Sequence, residues 1–244
     1  MLLRSGAKPT AQTYTVPPLH SGDRLSQAEF HRRYEQYPDH IKFELINGTV
    51  YMASPQRRPH GICEVDLSTL LGLYRLATPG VEAAHNTTVI LGEESEPQPD
   101  LLLRVLPEFG GATSTEDEYI HGGPEFIIEV AHSTAAIDLH QKKDDYQRRG
   151  VAEYVVVCLE DRQVCWFDLA GGRVRKLPSD GILKSKRFAG LWIDTQALVR
   201  GDLKRMIDVL NDGLASPEHA RFVRRLEAAW KKGAAKKRPR KGDE

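Results

Sequence analysis

Apolar residues recur along the chain with two different periods, which predicts a mixture of helices and strands. Residues 60–76 place apolar side chains at helical spacing, and residues 26–37 begin with Ser26 and Glu29 at the spacing of a capping box, which predicts a helix there. Residues 41–46 and 49–53 are strand-like and flank Asn47-Gly48, the dipeptide most typical of a two-residue hairpin turn. The first third of the chain therefore predicts a helix, a β-hairpin and a second, longer helix.

Strongly apolar strand segments dominate the middle of the chain. They are residues 82–91, 100–105, 125–131, 153–159 and 163–169, with shorter ones at 173–177, 182–188 and 191–193. The helical segments are residues 135–149, which Ser133 or Thr134 could cap and Gly150 ends, residues 195–212, and a last segment that Pro217 opens. Residues 107–123, rich in glycine and acidic side chains, are expected to form a loop or lid. This order predicts an α/β (mixed α+β) fold with a mixed central β-sheet flanked by helices, an N-terminal β-hairpin and C-terminal helices.

Changes in composition divide the 244 residues into four predicted parts. They are an N-terminal arm (1–24), one folded domain (25–195), a C-terminal helical appendage (196–230) and a basic disordered tail (231–244). The tail has seven basic and two acidic residues, a net charge of +5, so the other 230 residues carry −5. The folded part is therefore not a basic nucleic-acid binder by bulk charge, and the tail is either a solvated end or an arm that attracts polyanions.

The composition also excludes several classes of protein. Hydrophobic residues make up 40% of the chain and charged residues 28%, as in ordinary globular proteins. No apolar run approaches the length of a membrane span, and the first ten residues lack the apolar core of a secretory signal. The cysteines Cys63, Cys158 and Cys165 lack CxxC spacing, so we expect no disulfide scaffold and no cysteine-rich zinc site, and we expect a cytoplasmic protein.

Three acidic residues interrupt segments that are otherwise apolar. Asp100 opens one predicted strand, Glu129 interrupts another, and Glu44 precedes the hairpin turn, where it either faces solvent or points into a cleft. An ionised carboxylate in a buried strand is costly unless it is paired or binds a metal. Two carboxylates at one end of a sheet repel each other, and an oxygen-preferring divalent cation relieves that repulsion. Asp100 and Glu129 therefore predict a metal site, although a turn acid and a buried salt bridge remain open as alternatives.

The helix predicted after the strand of Glu129 carries further candidate chemistry. Asp138, Lys142 and Tyr146 follow one another at four-residue spacing and so lie on one helix face. A lysine near a metal-bound water can orient or deprotonate that water, or neutralise charge that develops on a phosphate. Lys142 and Asp138 could equally form a surface ion pair, and Tyr146 could be a core residue.

The ordered set Pro99-Asp100, Glu129 and Lys142 resembles the motif of the PD-(D/E)XK nuclease superfamily, and the chain resembles more specifically the Uma-two family of restriction endonuclease domains. The segments that carry the resemblance, within residues 25–195, are Phe43-Glu44-Leu45-Ile46-Asn47-Gly48, Gln98-Pro99-Asp100-Leu101-Leu102, Pro124-Glu125-Phe126-Ile127-Ile128-Glu129-Val130 and Asp138-Leu139-His140-Gln141-Lys142-Lys143-Asp144-Asp145-Tyr146. One position departs from the superfamily, because Ala131 stands where a lysine is usual. In the resembling family the following helix supplies that lysine, and Lys142 matches its place, with the adjacent Lys143 as an alternative.

The resemblance implies a restriction-endonuclease-like core and a metal-dependent endonuclease that hydrolyses phosphodiester bonds of DNA. The ligands implied for Mg²⁺ (or Mn²⁺) are Asp100, Glu129, the carbonyl of Val130 and, through water or at a second ion, Glu44. Lys142 would then be catalytic, and His60 matches a histidine of the family, unless it is only a polar residue at a helix start. The implied partner is DNA, and a homodimer would cut both strands. The alternative is a catalytically inactive nuclease-fold module that binds nucleic acid or protein.

Overall fold

The computed structural model describes residues 16–38, 40–132 and 135–237 of the chain. Its helices are α1 (Gln27–Tyr34), α2 (Arg58–Ala77), α3 (Lys143–Arg148), α4 (Thr195–Arg200), α5 (Leu203–Leu214) and α6 (Pro217–Lys237), with a 3₁₀ turn at Pro107–Phe109 and a π-helix at Ile137–Lys142. Its strands are β1 (Phe43–Ile46), β2 (Thr49–Met52), β3 (Val81–His85), β4 (Val89–Ile90), β5 (Leu101–Val105), β6 (Ser114–Glu116), β7 (Tyr119–His121), β8 (Phe126–Ala131), β9 (Glu153–Cys158), β10 (Gln163–Asp168), β11 (Arg173–Val174), β12 (Ile182–Lys184) and β13 (Trp192–Asp194).

A six-stranded mixed sheet forms the centre of the fold, with the strand order β11-β10-β9-β8-β5-β3. Strands β8 and β9 are parallel and are joined by a crossover through the π-helix and α3, whereas the other neighbours in this sheet are antiparallel. Every residue of β5, β8 and β9 is buried, which explains why their sequences are apolar on both faces. The predicted fold class, a mixed central sheet flanked by helices, is confirmed.

Side chains of the central strands alternate between two hydrophobic clusters, one on each face of the sheet. On one face Phe126 packs with α2 and the C-terminal helices. On the other face Leu102 and Ile127 pack with Tyr146 of α3. Because neighbouring strand residues point to opposite faces, Glu129 shares the face of Ile127 and is directed towards α3.

The predicted hairpin is present and lies beside the central sheet. Asn47 and Gly48 both have positive φ angles (48° and 73°), as a two-residue turn of this type requires. Leu45 in β1 exchanges two backbone hydrogen bonds with Glu96 (3.1 and 2.8 Å). This contact attaches the hairpin, and with it Glu44, to the segment that leads into β5.

Several elements differ from their predicted extents. The strand predicted over residues 82–91 is divided into β3 and β4 by Asn86, whose positive φ (50°) ends the extended backbone. The segment 107–123, expected to be a loop or lid, contains β6 and β7. The helix predicted over 195–212 breaks at Gly201, a left-handed C-cap with φ of 69°. Ser133 and Thr134, the candidate caps of the helix predicted over 135–149, lie outside the described residues.

The C-terminal helices pack against the central sheet. Met206, Leu210, Phe222 and Leu226 are buried in the same hydrophobic cluster as Phe126. Helix α6 continues to Lys237, so the first seven residues of the predicted tail are helical, and residues 238–244 lie outside the described residues. The division into four parts itself stays a prediction.

Within the described part of the chain, none of the helices combines the length and the apolar character that crossing a membrane requires.

Candidate active site

The two acidic residues predicted to form a metal site lie side by side. Strand β8 pairs with β5 only through Phe126–Ile128, so its last three residues extend beyond the start of β5. Asp100 immediately precedes β5 and fills this gap: its Oδ2 accepts a hydrogen bond from the backbone N–H of Val130 (2.7 Å). In turn the backbone N–H of Asp100 points at Glu129 Oε2, 3.4 Å away.

The backbone carbonyl of Val130 faces the same gap. The N–H and C=O groups of one strand residue point to the same side of the strand. The N–H of Val130 points to Asp100, whereas the carbonyl of the next residue, Ala131, bonds to Leu159 on the other side. The Val130 carbonyl is therefore on the side of Asp100, where it was expected as a metal ligand.

The amine that reaches this gap belongs to Lys142. Its Nζ lies 3.0 Å from Glu129 Oε1, 3.0 Å from both carboxylate oxygens of Glu44 and 3.7 Å from Asp138 Oδ1. The Lys142 side chain is only 7% exposed. Lys143, the alternative from the sequence, instead pairs with Asp144 at the surface (2.8 Å).

A π-helix presents Lys142 and Asp138 to the site. Both residues are buried, and they lie four positions apart in Ile137–Lys142. The hydroxyl of Tyr154 in β9 donates a hydrogen bond to the carbonyl of Asp138 (3.1 Å), which ties this helix to the sheet. Short π-helical insertions occur often at functional sites, where they re-aim side chains.

Tyr146 and Gln98 hold two of the carboxylates in place. The Tyr146 hydroxyl donates to Glu129 Oε1 (2.8 Å), so this side chain is both a core residue and a partner of the site. The backbone N–H of Gln98 donates to Glu44 Oε1 (2.8 Å). Glu44 thus points into the cleft, one of the two orientations left open by the sequence.

A second group of ligands adjoins Asp100 from helix α2. His60, Glu64 and Asp100 each offer one ligand atom, and the three atoms lie within 4.8 Å of one another. His60 Nε2 lies 3.4 Å from Asp100 Oδ2, and His60 Nδ1 lies 3.3 Å from Glu64 without hydrogen-bond geometry. Glu64 was not among the residues predicted from the sequence, although its four-residue spacing from His60 places both on one helix face.

Burial and neighbouring charges shift the protonation equilibria of the site. Burial raises the pKa of the Glu129 carboxyl well above its ordinary value. The negative charges of Asp100, Asp138 and Glu44 add to this rise, and the positive charge of Lys142 opposes it. Burial opposes the charge of Lys142, but Glu129, Glu44 and Asp138 outweigh it and raise its pKa, so the amine stays protonated.

The pKa of Asp100 is shifted in the opposite direction to that of Glu129. Burial raises the pKa of this carboxyl, but His60 and the Val130 N–H together lower it below its ordinary value. Burial likewise opposes the charge of His60, and Asp100 and Glu64 outweigh it and raise the pKa of the imidazole to about 10.

The donor set fits a hard divalent cation. Five carboxylates, those of Glu44, Glu64, Asp100, Glu129 and Asp138, lie together here, and Lys142 and His60 contact them among the described residues, with His85 also 3.1 Å from Glu64. Burial, together with the negative charges of Asp100, Asp138 and Glu44, raises the pKa of Glu129, and a bound cation would favour loss of its proton. Carboxylate oxygens together with a backbone carbonyl are the ligands that Mg²⁺ and Mn²⁺ take.

Comparison with known proteins places the chain in a class of nuclease-like folds. A solved structure from Anabaena variabilis ATCC 29413, described as "a putative nuclease belonging to DUF820", matches with a TM-score of 0.55 and 12% sequence identity, over 69% of this chain and 97% of that one. No curated protein matches the chain. Residues 28–196 match the family model described as "Uma2: Putative restriction endonuclease". The chain belongs to the Uma2 family, as its sequence motifs indicated.

Proposed function

We propose that the protein is a metal-dependent endonuclease that hydrolyses phosphodiester bonds of DNA. The observation that carries this proposal is the meeting of Asp100, Glu129 and Lys142 where β8 extends beyond β5. Membership of a family described as a restriction endonuclease supports the same class of reaction.

The proposed ligands of Mg²⁺ (or Mn²⁺) are Asp100, Glu129 and the Val130 carbonyl, with Glu44 acting through water or at a second ion. When bound, such an ion polarises the phosphate and lowers the pKa of a water molecule. The Val130 N–H fixes one oxygen of Asp100, and Tyr146 and Lys142 share Oε1 of Glu129. Glu129 Oε2 is thereby directed towards Asp100.

Lys142 is proposed to stabilise negative charge that develops on the phosphate during hydrolysis. Because its pKa is raised, the amine is a fixed positive charge rather than a base. The carboxylates of Glu44, Glu129 and Asp138 hold this charge before the substrate arrives, so little reorganisation is needed.

The test is nicking of supercoiled plasmid in Mg²⁺ or Mn²⁺. We expect cleavage that EDTA abolishes and that Asp100→Asn lowers by at least about 100-fold, because that substitution removes an ionised ligand. Asp144→Asn, on the exposed side of α3, is the matched control and should cleave normally. Cleavage that persists both in EDTA and in Asp100→Asn would refute the metal site.

DNA is proposed to approach along the start of α2. Arg57 and Arg58 are exposed there, and neither is in an ion pair among the described residues. The same helix turn carries His60 to Asp100. These two cations lie three and two residues before His60, so they are proposed to contact phosphates near the site although the folded part is acidic overall.

We expect the double variant Arg57→Ala/Arg58→Ala to bind duplex DNA more weakly, with a shallower dependence on salt. Loss of two phosphate contacts should reduce the slope of log K against log salt concentration by about two. Fluorescence anisotropy in EDTA measures both quantities. The control is Arg173→Ala/Lys176→Ala, two exposed cations in and after the edge strand β11. An equal loss in the control would contradict a local DNA contact at α2.

The second candidate function is a nuclease fold that binds nucleic acid or protein without cleaving it. The observation that favours it is Ala131, which stands where the superfamily usually has a lysine. DNA binding without cleavage in the plasmid assay would favour it. We also propose a homodimer in a reducing cytoplasm, an environment in which free cysteines such as these three are usual. Light scattering of the purified chain tests the dimer.

A further inference from the structure

A cavity of about 330 Å³ opens beside the proposed active site. Residues of α1 and the turn that follows it form one wall, and Tyr119 of β7 forms another. Six of the residues that line it supply aromatic rings or carboxylates: His31, Tyr34, Tyr37, Tyr119, Glu35 and Glu96. Tyr119 comes from the segment 107–123, which the sequence marked as a loop or lid.

The aromatic walls are held by ring contacts. His31 and Tyr119 meet edge to face with centroids 5.0 Å apart. Tyr34 and Tyr37 each pack on Phe43, with centroids 6.0 and 5.0 Å apart. Phe43 directly precedes Glu44 in β1. These rings offer a flat ligand a surface on which to stack.

The polar groups of the cavity favour a hydrogen-bond donor and disfavour a phosphate. Among the described residues that line it, none is Lys or Arg. Glu96 is 1% exposed, and its two oxygens accept from His31 Nδ1 (2.9 Å) and Gln27 Nε2 (2.8 Å). A carboxylate has about four acceptor positions, and the described residues occupy two of those on Glu96. Glu35 adds a second carboxylate at the opening.

Gln98 connects this cavity to the active site. Its side-chain amide donates to the Tyr34 hydroxyl (3.0 Å) and to Thr88 Oγ1 (2.9 Å) on the cavity side. Its backbone N–H donates to Glu44 Oε1, the carboxylate that also accepts from Lys142. Gln98 thus lines the cavity and contacts the carboxylate that Lys142 also contacts, so the cavity adjoins the proposed active site.

We propose that this cavity binds an unstacked nucleobase with an exocyclic amino group from the strand being cut. Aromatic side chains bind bases of any kind by stacking, and carboxylates accept hydrogen bonds from amino groups such as N4 of cytosine. Thymine has no amino group and would leave the carboxylates without a donor. This inference rests on the proposed function, because it assigns part of the same substrate to a second pocket.

The experiment measures binding of fluorescent single-stranded DNA decamers, all-cytosine or all-thymine, to the full chain in EDTA. We expect the cytosine decamer to bind at least about three-fold more tightly. Tyr119→Ala should weaken its binding about five-fold or more and remove the preference, because a stacking surface is lost. Tyr119→Phe keeps the ring, so it should bind as the wild type does. Thermal melting verifies that both variants fold.

The outcomes separate this inference from the proposed hydrolysis. Equal binding of the two decamers, no binding, or unchanged binding by Tyr119→Ala would each overturn the base pocket. If plasmid is nonetheless cleaved, the nuclease function stands without the pocket. A cytosine preference that depends on the Tyr119 ring, without plasmid cleavage, would support the pocket and overturn the hydrolysis.

Discussion

Replacing Lys142 by methionine should lower the rate of DNA cleavage by about 100- to 1,000-fold, the usual cost of removing one preorganised charge that stabilises a transition state. Methionine keeps much of the length of the lysine stem but loses the amine that contacts both Glu129 and Glu44. Single-turnover cleavage of a labelled duplex in Mn²⁺ measures this loss directly.

The same substitution should destabilise the fold in the absence of metal. Lys142 is 7% exposed, and the substitution removes the positive charge that Glu44, Glu129 and Asp138 share. Removing one partner of a buried ion pair costs about 3–5 kcal/mol. Urea denaturation in EDTA measures this change, and the cleavage assay is then run well below the unfolding transition.

Lys143→Met is the matched control for both measurements. This lysine follows Lys142 in the chain but pairs with Asp144 at the surface, where an ion pair contributes little. We expect near-normal cleavage and a change in stability within about 0.5 kcal/mol. Equal losses of activity in the two variants would contradict the role given to Lys142.

The acidic half of the site could be predicted from the sequence because its residues violate a local pattern. Asp100 begins one apolar segment and Glu129 interrupts another, where a carboxylate needs a partner, and the structure places the two side by side. The hairpin was equally readable, since Asn47-Gly48 supplies the two positive φ angles that the turn needs. Local rules were sufficient for the hairpin, whereas the metal site itself stays a prediction.

Features that depend on packing between distant segments could not be predicted. In the sequence, Glu64 has no feature that separates it from other helix residues. Its place in the site depends on β3, which brings His85 to within 3.1 Å of Glu64, and on the start of β5, which brings Asp100 to His60. The π-helix also could not be predicted from the sequence, because apolar periodicity predicts a helix but not its hydrogen-bond register. The base pocket unites α1 and β7, which lie more than 80 residues apart in the chain.

Binding of Mn²⁺ should raise the melting temperature of the wild-type chain by about 5–10 °C at 100 times its dissociation constant. A ligand that binds only the native state at that concentration contributes about 2.7 kcal/mol, and each kcal/mol moves the melting temperature of a chain of this size by about 2–4 °C. The bound ion should at the same time relieve the repulsion among the carboxylates around Asp100 and Glu129. Thermal melting with and without EDTA measures the rise in melting temperature, separately from catalysis.

Variants of single carboxylates then locate the ion between the two groups of ligands that share Asp100. Asp100→Asn should lose the shift, because both groups need this residue, whereas the exposed Asp144→Asn should retain it. We expect Glu129→Gln to lose it as well and Glu64→Gln to keep most of it, since Glu129 and the Val130 carbonyl face the gap beside Asp100. The reverse order, with Glu64 essential and Glu129 dispensable, would place the ion against helix α2 and contradict the proposed ligand set.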